Sequence, residues 1–551
     1  MEKRKYTMSK LYRTAAAAIA LTGTLLSPAV AGISWPREQL LPTFAKPAPT
    51  QDLISIPPAG STSPKAEAVL FSSLKGLVNR TKPRIWTCEG AGEGKSSGSK
   101  YEWLTELGLS YKEPSDPWAL ITKYRQEIKG IIVYDDAQPD TINLATTIAG
   151  SSSALVTSPE LAAKLTRAPY SLPILKDLRG KFKGRLGVYQ YLYDYYWVTT
   201  THRVLTGLNP TAVYGNLREY AVAINSTVLW LDPREPEEKA LLDRYLASMG
   251  PGTLYMGWWA EEGSGVSAAS AYGIVTCASD WSTNLTNLGG TSRKVTVKRA
   301  PAAVPPVENK IYVAFIISDG DNFQYLEHHL HKMWLDPERG KVPMGWTVSP
   351  TMLDAMPGLL NYYYKTATDN DCLLCGPSGY GYTYPNDWHN GEALTHFVAK
   401  SDDYCQRAGL RIITIWNTIN GGIAPNVGDA YAKHAPSLLG LTGQNAGGGL
   451  TIYDHTLPTF ALTATYCGVM DHLVREVKGG SVGWDGKSPR FLIIQAEPWH
   501  GLMPTDFVTF VQGLNSDYQI VRPDTLFQMM RSVNQLPADP LKPTHWNRSK
   551  R

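Results

Sequence analysis

The chain is short of the residues that would make it stapled, fibrous or disordered. Only 6 of its 551 residues are cysteine, too few for a disulfide framework, although one or two bridges would suit an oxidising compartment. Charged residues make up 19% against 43% hydrophobic, a balance that excludes disorder, coiled coil and collagen. Neither sign of charge dominates, with 53 Lys+Arg against 49 Asp+Glu. No P-loop occurs, so nucleotidase chemistry has little support, and no cofactor is expected. The apolar run from Ala15 to Leu26 falls short of the roughly 20 residues that span a bilayer. What remains is a folded chain with room for several domains at about 100–200 residues each.

The N-terminus carries Lys3, Arg4, Lys5, Lys10 and Arg13 against one acid, Glu2, then the apolar run, then Ala29-Val30-Ala31. This pattern predicts a signal peptide over residues 1–31 and export to the periplasm or beyond. The next cysteine, Cys88, is too distant for lipid attachment. Cleavage would leave equal numbers of positive and negative side chains, which withdraws electrostatic support for a nucleic-acid or anionic-membrane partner.

Ser63-Pro64 followed by Ala68, Leu70, Leu74 and Leu77 predicts a helix capped by Ser63. Apolar runs at 84–86, 128–134 and 228–232 alternate with helical stretches at 140–150 and 235–249, which predicts small α/β domains over residues 32–300. A proline-rich linker at 301–308 ends this region. Eight further runs follow, at 311–317, 344–348, 371–374, 410–416, 438–441, 450–453, 491–494 and 518–521, with helices such as 390–408 between them. They predict a (β/α) TIM-like barrel over residues 309–537, with an open α/β sheet as the alternative, and a tail at 538–551. Cys372 and Cys375 form a lone C-x-x-C that reads as buried strand residues or a local bridge.

Parallel α/β folds work at their strand C-termini. Four runs there end in Ser318-Asp319-Gly320-Asp321-Asn322, Trp416-Asn417, Tyr453-Asp454 and Gln495-Ala496-Glu497-Pro498-Trp499. Glycosidic cleavage needs one carboxyl to protonate the leaving oxygen and a second to attack or to activate water. Asp319, Asp321 and Glu497 are the catalytic candidates, with Asp454 in reserve, although an Asp after a strand is often only a cap or turn former. Asn322, Asn417, Trp416 and Trp499 would position the sugar. The glycine-rich loop from Gly376 to Trp388 adds Tyr380, Tyr382, Tyr384 and Trp388, either as a stacking surface or as a rigid aromatic turn closing the mouth.

Within that loop, Gly379-Tyr380-Gly381-Tyr382-Thr383-Tyr384-Pro385 matches G-x-G-Y-x-Y-P, and the chain resembles the GxGYxYP family of putative glycoside hydrolases. The resemblance extends to Ser318–Asn322, Val521–Asp524 and Gly76–Arg84. It implies a barrel-like C-terminal catalytic domain behind smaller α/β domains in exported bacterial proteins acting on oligo- or polysaccharide, with Tyr380, Tyr382 and Tyr384 on the site wall.

Two rival chemistries fit the same chain. His328, His329 and His331 beside an acidic strand end are similar to the make-up of metal-dependent polysaccharide deacetylases, but one helix face needs i, i+4 histidines and position 332 is Lys, so no metal ligands are assigned. A non-catalytic glycan-binding protein is the other. The cluster Tyr191, Tyr193, Tyr195, Tyr196 and Trp197 is expected to be core or an interdomain seam rather than a sugar platform.

Overall fold

A computed structural model describes residues 32–58, 60–89, 102–298, 304–417, 421–444 and 449–541. The expected signal peptide and the first part of the proline-rich linker lie outside the described residues. Within the described residues, all strand pairs except two run parallel. Two three-stranded sheets form first, one ordered Ile85–Glu89, Thr50–Ile56, Ser110–Lys112 and the other Ala154–Thr157, Gly130–Val133, Ile174–Asp177. A four-stranded sheet follows, ordered Ser226–Leu229, Thr201–Gly207, Leu254–Gly257, Val275–Ala278. The helix Pro64–Asn79 is buried along nearly its whole length, yet Ser63 does not cap it; its hydroxyl reaches Glu160 instead, 2.8 Å away. In the tyrosine cluster, Trp197 is core, but Tyr195 is 63% exposed, so that cluster is only partly the seam it resembled.

The C-terminal region is one curled sheet rather than a closed eight-stranded TIM barrel. Its order is Leu450–Tyr453, Leu457–Ala461, Gly440–Gly443, Ile412–Ile415, Asp371–Cys375, Met344–Val348, Ile311–Ile317, Arg490–Ala496, and Tyr518–Ile520 pairs with the Ile311 strand as well. Leu450–Tyr453 runs antiparallel to its neighbour, so it is not a barrel strand. The parallel strand in its place is Leu457–Ala461, whose Pro458 hides it from a strand pattern because proline cannot donate to a ladder. No ladder joins Leu457–Ala461 to Arg490–Ala496. The irregular segment after the former bridges the gap, with Thr463 N–H donating to Ile493 O (3.0 Å) and Cys467 N–H to Gln495 O (2.9 Å). The helix Pro523–Val533 completes this side, sharing a buried cluster with Tyr312, Ala314, Ile316, Leu374 and Ile412. Cys372 and Cys375 are free, buried thiols in the Asp371–Cys375 strand. No helix among the described residues is long and apolar enough to cross a membrane.

Candidate active site

Every residue of Ile311–Ile317 is buried, so the segment after it is delivered to the sheet edge from a fixed base. Asp319 adopts φ +88°, a left-handed conformation that non-glycine residues seldom hold. A side chain kept there by its surroundings is a signal of function. Gly320 is required by close approach, since a Cβ would stand 2.5 Å from the Thr347 carbonyl carbon and from the Val348 nitrogen. Asn322 then starts a helix by accepting from Tyr325 N–H at 3.0 Å.

Asp319 and Asp321 face a cavity of about 660 Å³, within the usual range for small-ligand pockets. The C-terminal region also contributes Asn322, Gln324, His329, Lys332, Tyr382, Trp416 and Trp499, while the four-stranded domain contributes Trp258, Glu262, Ala278, Asp280 and Trp281. The cavity is therefore a cleft between two sheets whose strand C-termini approach one another. Gln324 crosses it, its Nε2 donating to Asp280 Oδ1 at 3.1 Å. Tyr382 crosses it too, its hydroxyl donating to Glu262 Oε1 at 2.9 Å. Trp499 rests on His329 and Tyr325, with ring centroids 5.0 and 5.8 Å away. His329 donates through Nε2 to Pro498 O at 2.7 Å, which pins the Trp499 loop.

Burial sets the acidities. Asp319 is pushed up to about 7, mainly by desolvation and further by the charges of Glu262 and Glu497, while the Trp499 indole N–H holds it back. Asp321 lies well above the ordinary carboxylate range through desolvation and the adjoining Asp319 charge. Two carboxylates this close titrate as a pair that keeps one proton near neutrality. Glu262 opens to solvent as a residue, yet its carboxyl, drawn against Tyr382, is also raised, chiefly by desolvation. His329 is lowered by burial and stays neutral.

The remaining sequence candidates fall in different places. Glu497 is buried behind the cavity wall, accepting from Trp499 N–H at 2.7 Å and from the His500 ring. It fixes the tryptophan loop rather than facing the cleft. Asp454 is exposed in the hairpin turn that precedes Leu457–Ala461, at the end of the sheet opposite Asp319. Reading Tyr453 as a parallel strand end misplaced it, because that strand runs backwards. Tyr380 is fully buried against Phe397 with its hydroxyl on Gly252 O at 3.2 Å. Tyr384 is buried behind Tyr382, 3.2 Å between hydroxyls, and Trp388 donates to Thr383 at 2.7 Å. Asn417 is buried, accepting from Asn386 N–H at 3.2 Å. Of the aromatic motif, only Tyr382 reaches the cavity. The loop otherwise clasps two domains: Thr276 and Tyr382 exchange backbone hydrogen bonds of 2.8 and 2.7 Å, and a Cβ on Gly381 would meet Val275 at 2.7 Å. His328, His329 and His331 turn to three separate partners, Glu327, Pro498 and Tyr362.

Sequence reading missed Trp258, Glu262, Asp280 and Trp281. Their signal was present, for Asp280-Trp281 follows the strand Val275–Ala278 and Glu262 follows Leu254–Gly257, the same strand-end pattern that exposed Asp319.

Residues 309–531 match the model described as GxGYxYP putative glycoside hydrolase C-terminal domain. Residues 202–290 match the GxGYxYP third domain, and residues 128–201 match the GxGYxYP_N second domain. No curated protein matches the chain. Among solved structures, a putative hydrolase from Bacteroides thetaiotaomicron VPI-5482 is similar in fold at TM-score 0.76 and 22% identity, over 91% of this chain and 99% of its own. A putative polysaccharide deacetylase from Mycobacterium smegmatis covers 45% of this chain and 99% of its own at TM-score 0.32 and 10% identity, too slight a likeness to support an argument.

Proposed function

The chain belongs to the GxGYxYP family, and from that premise we propose that the cleft hydrolyses a glycosidic bond by paired-carboxylate chemistry. The observation that carries the reading is the Asp319–Asp321 pair, held at a strand end in a tryptophan-walled cavity and kept partly protonated by burial. The proton on that pair is the general acid. It passes to the glycosidic oxygen as the bond to the anomeric carbon breaks, and burial brings the pair's acidity close to the working pH. Glu262, on the opposite wall and open to water, is the second carboxylate. Its raised basicity suits it to take a proton from an attacking water. Glu497 is a positioning residue acting through Trp499 and His500. Export through the N-terminal segment would place the enzyme where such glycans occur.

The test is product release from a panel of plant, host and microbial glycans by wild type, Asp321→Asn, Glu262→Gln and Glu497→Gln. The first two should lose about 10²- to 10⁴-fold in kcat/KM, the usual weight of a general acid or base. Glu497→Gln should lose less and mainly in KM. Full activity in Asp321→Asn would end the proposal.

A further inference from the structure

The chemistry of the cavity wall also defines which glycans fit. Three buried polar atoms on residues that line it have no protein partner: Asp321 Oδ1, on the proton-sharing pair, Gln324 Oε1, an acceptor, and Trp416 Nε1, a donor. Asp321, Gln324 and Trp416 are 4%, 6% and 7% exposed, so each atom is costly to leave without a hydrogen bond. A ligand that covers them must therefore both donate and accept hydrogen bonds. A sugar hydroxyl does both with one atom, whereas a carboxylate or a sulfate ester only accepts.

Charge points the same way. Anionic sugars are recognised by guanidinium or paired ammonium groups, and among the described residues lining the cavity there is no arginine; the one ammonium, Lys332, is exposed. Against it stand the carboxyls of Asp280, Asp319, Asp321 and Glu262. A uronate entering here would place its charge among four carboxyl groups with only the exposed Lys332 to offset it, in a setting where desolvation makes like-charge contact costly. We infer that the cleft takes glycans built of uncharged sugars and rejects uronates and sulfated sugars. The inference rests on the hydrolase reading for the bond-breaking step alone, and binding itself can be tested without turnover.

The experiment titrates the full chain with cellohexaose, mannohexaose, xylohexaose and maltohexaose, and with hexagalacturonate and hexaguluronate. The readout is intrinsic tryptophan fluorescence, which the cavity tryptophans should report, and product release is assayed on the same panel. At least one neutral hexasaccharide should bind ten-fold or more tighter than either uronate, and Gln324→Arg should narrow that gap. A uronate that binds as tightly as the best neutral sugar overturns the inference, as does the absence of binding by every neutral probe. Neutral binding without product supports the inference and removes the hydrolase reading; neutral binding with product supports both.

Discussion

The two walls of the cleft are built alike but were not equally visible. One is the Ser318–Asn322 segment at the end of a fully buried strand, with Asp319 held in a left-handed conformation. The other comes from the four-stranded domain, which carries Glu262 at the start of the helix Glu262–Ala271 and Asp280 in the loop after Val275–Ala278. Both follow the C-termini of parallel strands, so the lesson is that the strand-end rule applies to every parallel sheet in a chain. A site can arise where two such edges meet. Asp321→Asn set beside Asp454→Asn tests where the cleft lies. The first should lower kcat/KM by about 10²- to 10⁴-fold. The second, altering an exposed turn at the far end of the sheet, should leave it unchanged, and equal losses would contradict the placement of the cleft.

Much of the architecture was legible because it depends on local patterns. The strands at 311–317 and 344–348 coincide with their apolar runs, and the helix Gly391–Ala408 begins where Asn390 caps it. The errors came where a local pattern has two meanings. Leu450–Tyr453 reads like a barrel strand, but strand direction is decided by pairing, and the hairpin turn at Asp454 reverses it. Pro458 masked the true neighbour. The GxGYxYP loop read equally as a stacking surface or as a rigid aromatic turn, because aromatics serve both stacking and packing. Its residues pack between domains, with Tyr382 the exception. Glu497 looked catalytic because an acid after a strand is the same sequence whether it faces the cleft or props a loop behind it.

The next effect concerns stability of the Asp319 wall against pH. The folded-state value near 7 exceeds the ordinary 3.8, so the folded protein holds this proton more tightly than the unfolded chain. The resulting contribution is full at low pH and is lost as pH rises through about 7. Asp319→Asn removes the buried charge, and Asn tolerates the left-handed backbone. Its Tm should match wild type near pH 4, rise above it progressively toward pH 7 and keep a gap of a few degrees at pH 8, while activity is lost. A thermal scan in which the gap instead shrinks with rising pH would refute the assigned acidity.

The clasp that joins the walls gives a smaller change. Gly381→Ala would force a methyl group against Val275 and Thr276 O, at 2.7 and 2.8 Å, which should cost about 1–3 kcal/mol in unfolding free energy. Gly391→Ala, where no atom lies within 4 Å, is the matched control and should be close to neutral. Comparable destabilisation of both by denaturant titration would mean that residue 381 does not hold the domains together.

The finest test asks whether the two walls share one electrostatic field. The Tyr382 hydroxyl donates to Glu262 across the cleft and favours its ionised form, partly offsetting the desolvation that raises it. Tyr382→Phe removes that donor while keeping the ring beside Trp258 and Trp416. Glu262 should then ionise at higher pH, and the acidic limb of kcat/KM should move upward. Because Glu262 opens to solvent, water screens the loss, so the upward shift should be the smallest of these effects. The alkaline limb, set by the Asp319–Asp321 proton, should stay near its wild-type position. If both limbs moved together, Tyr382 would be acting on the pair as well, and the assignment of base and acid to opposite walls would fail.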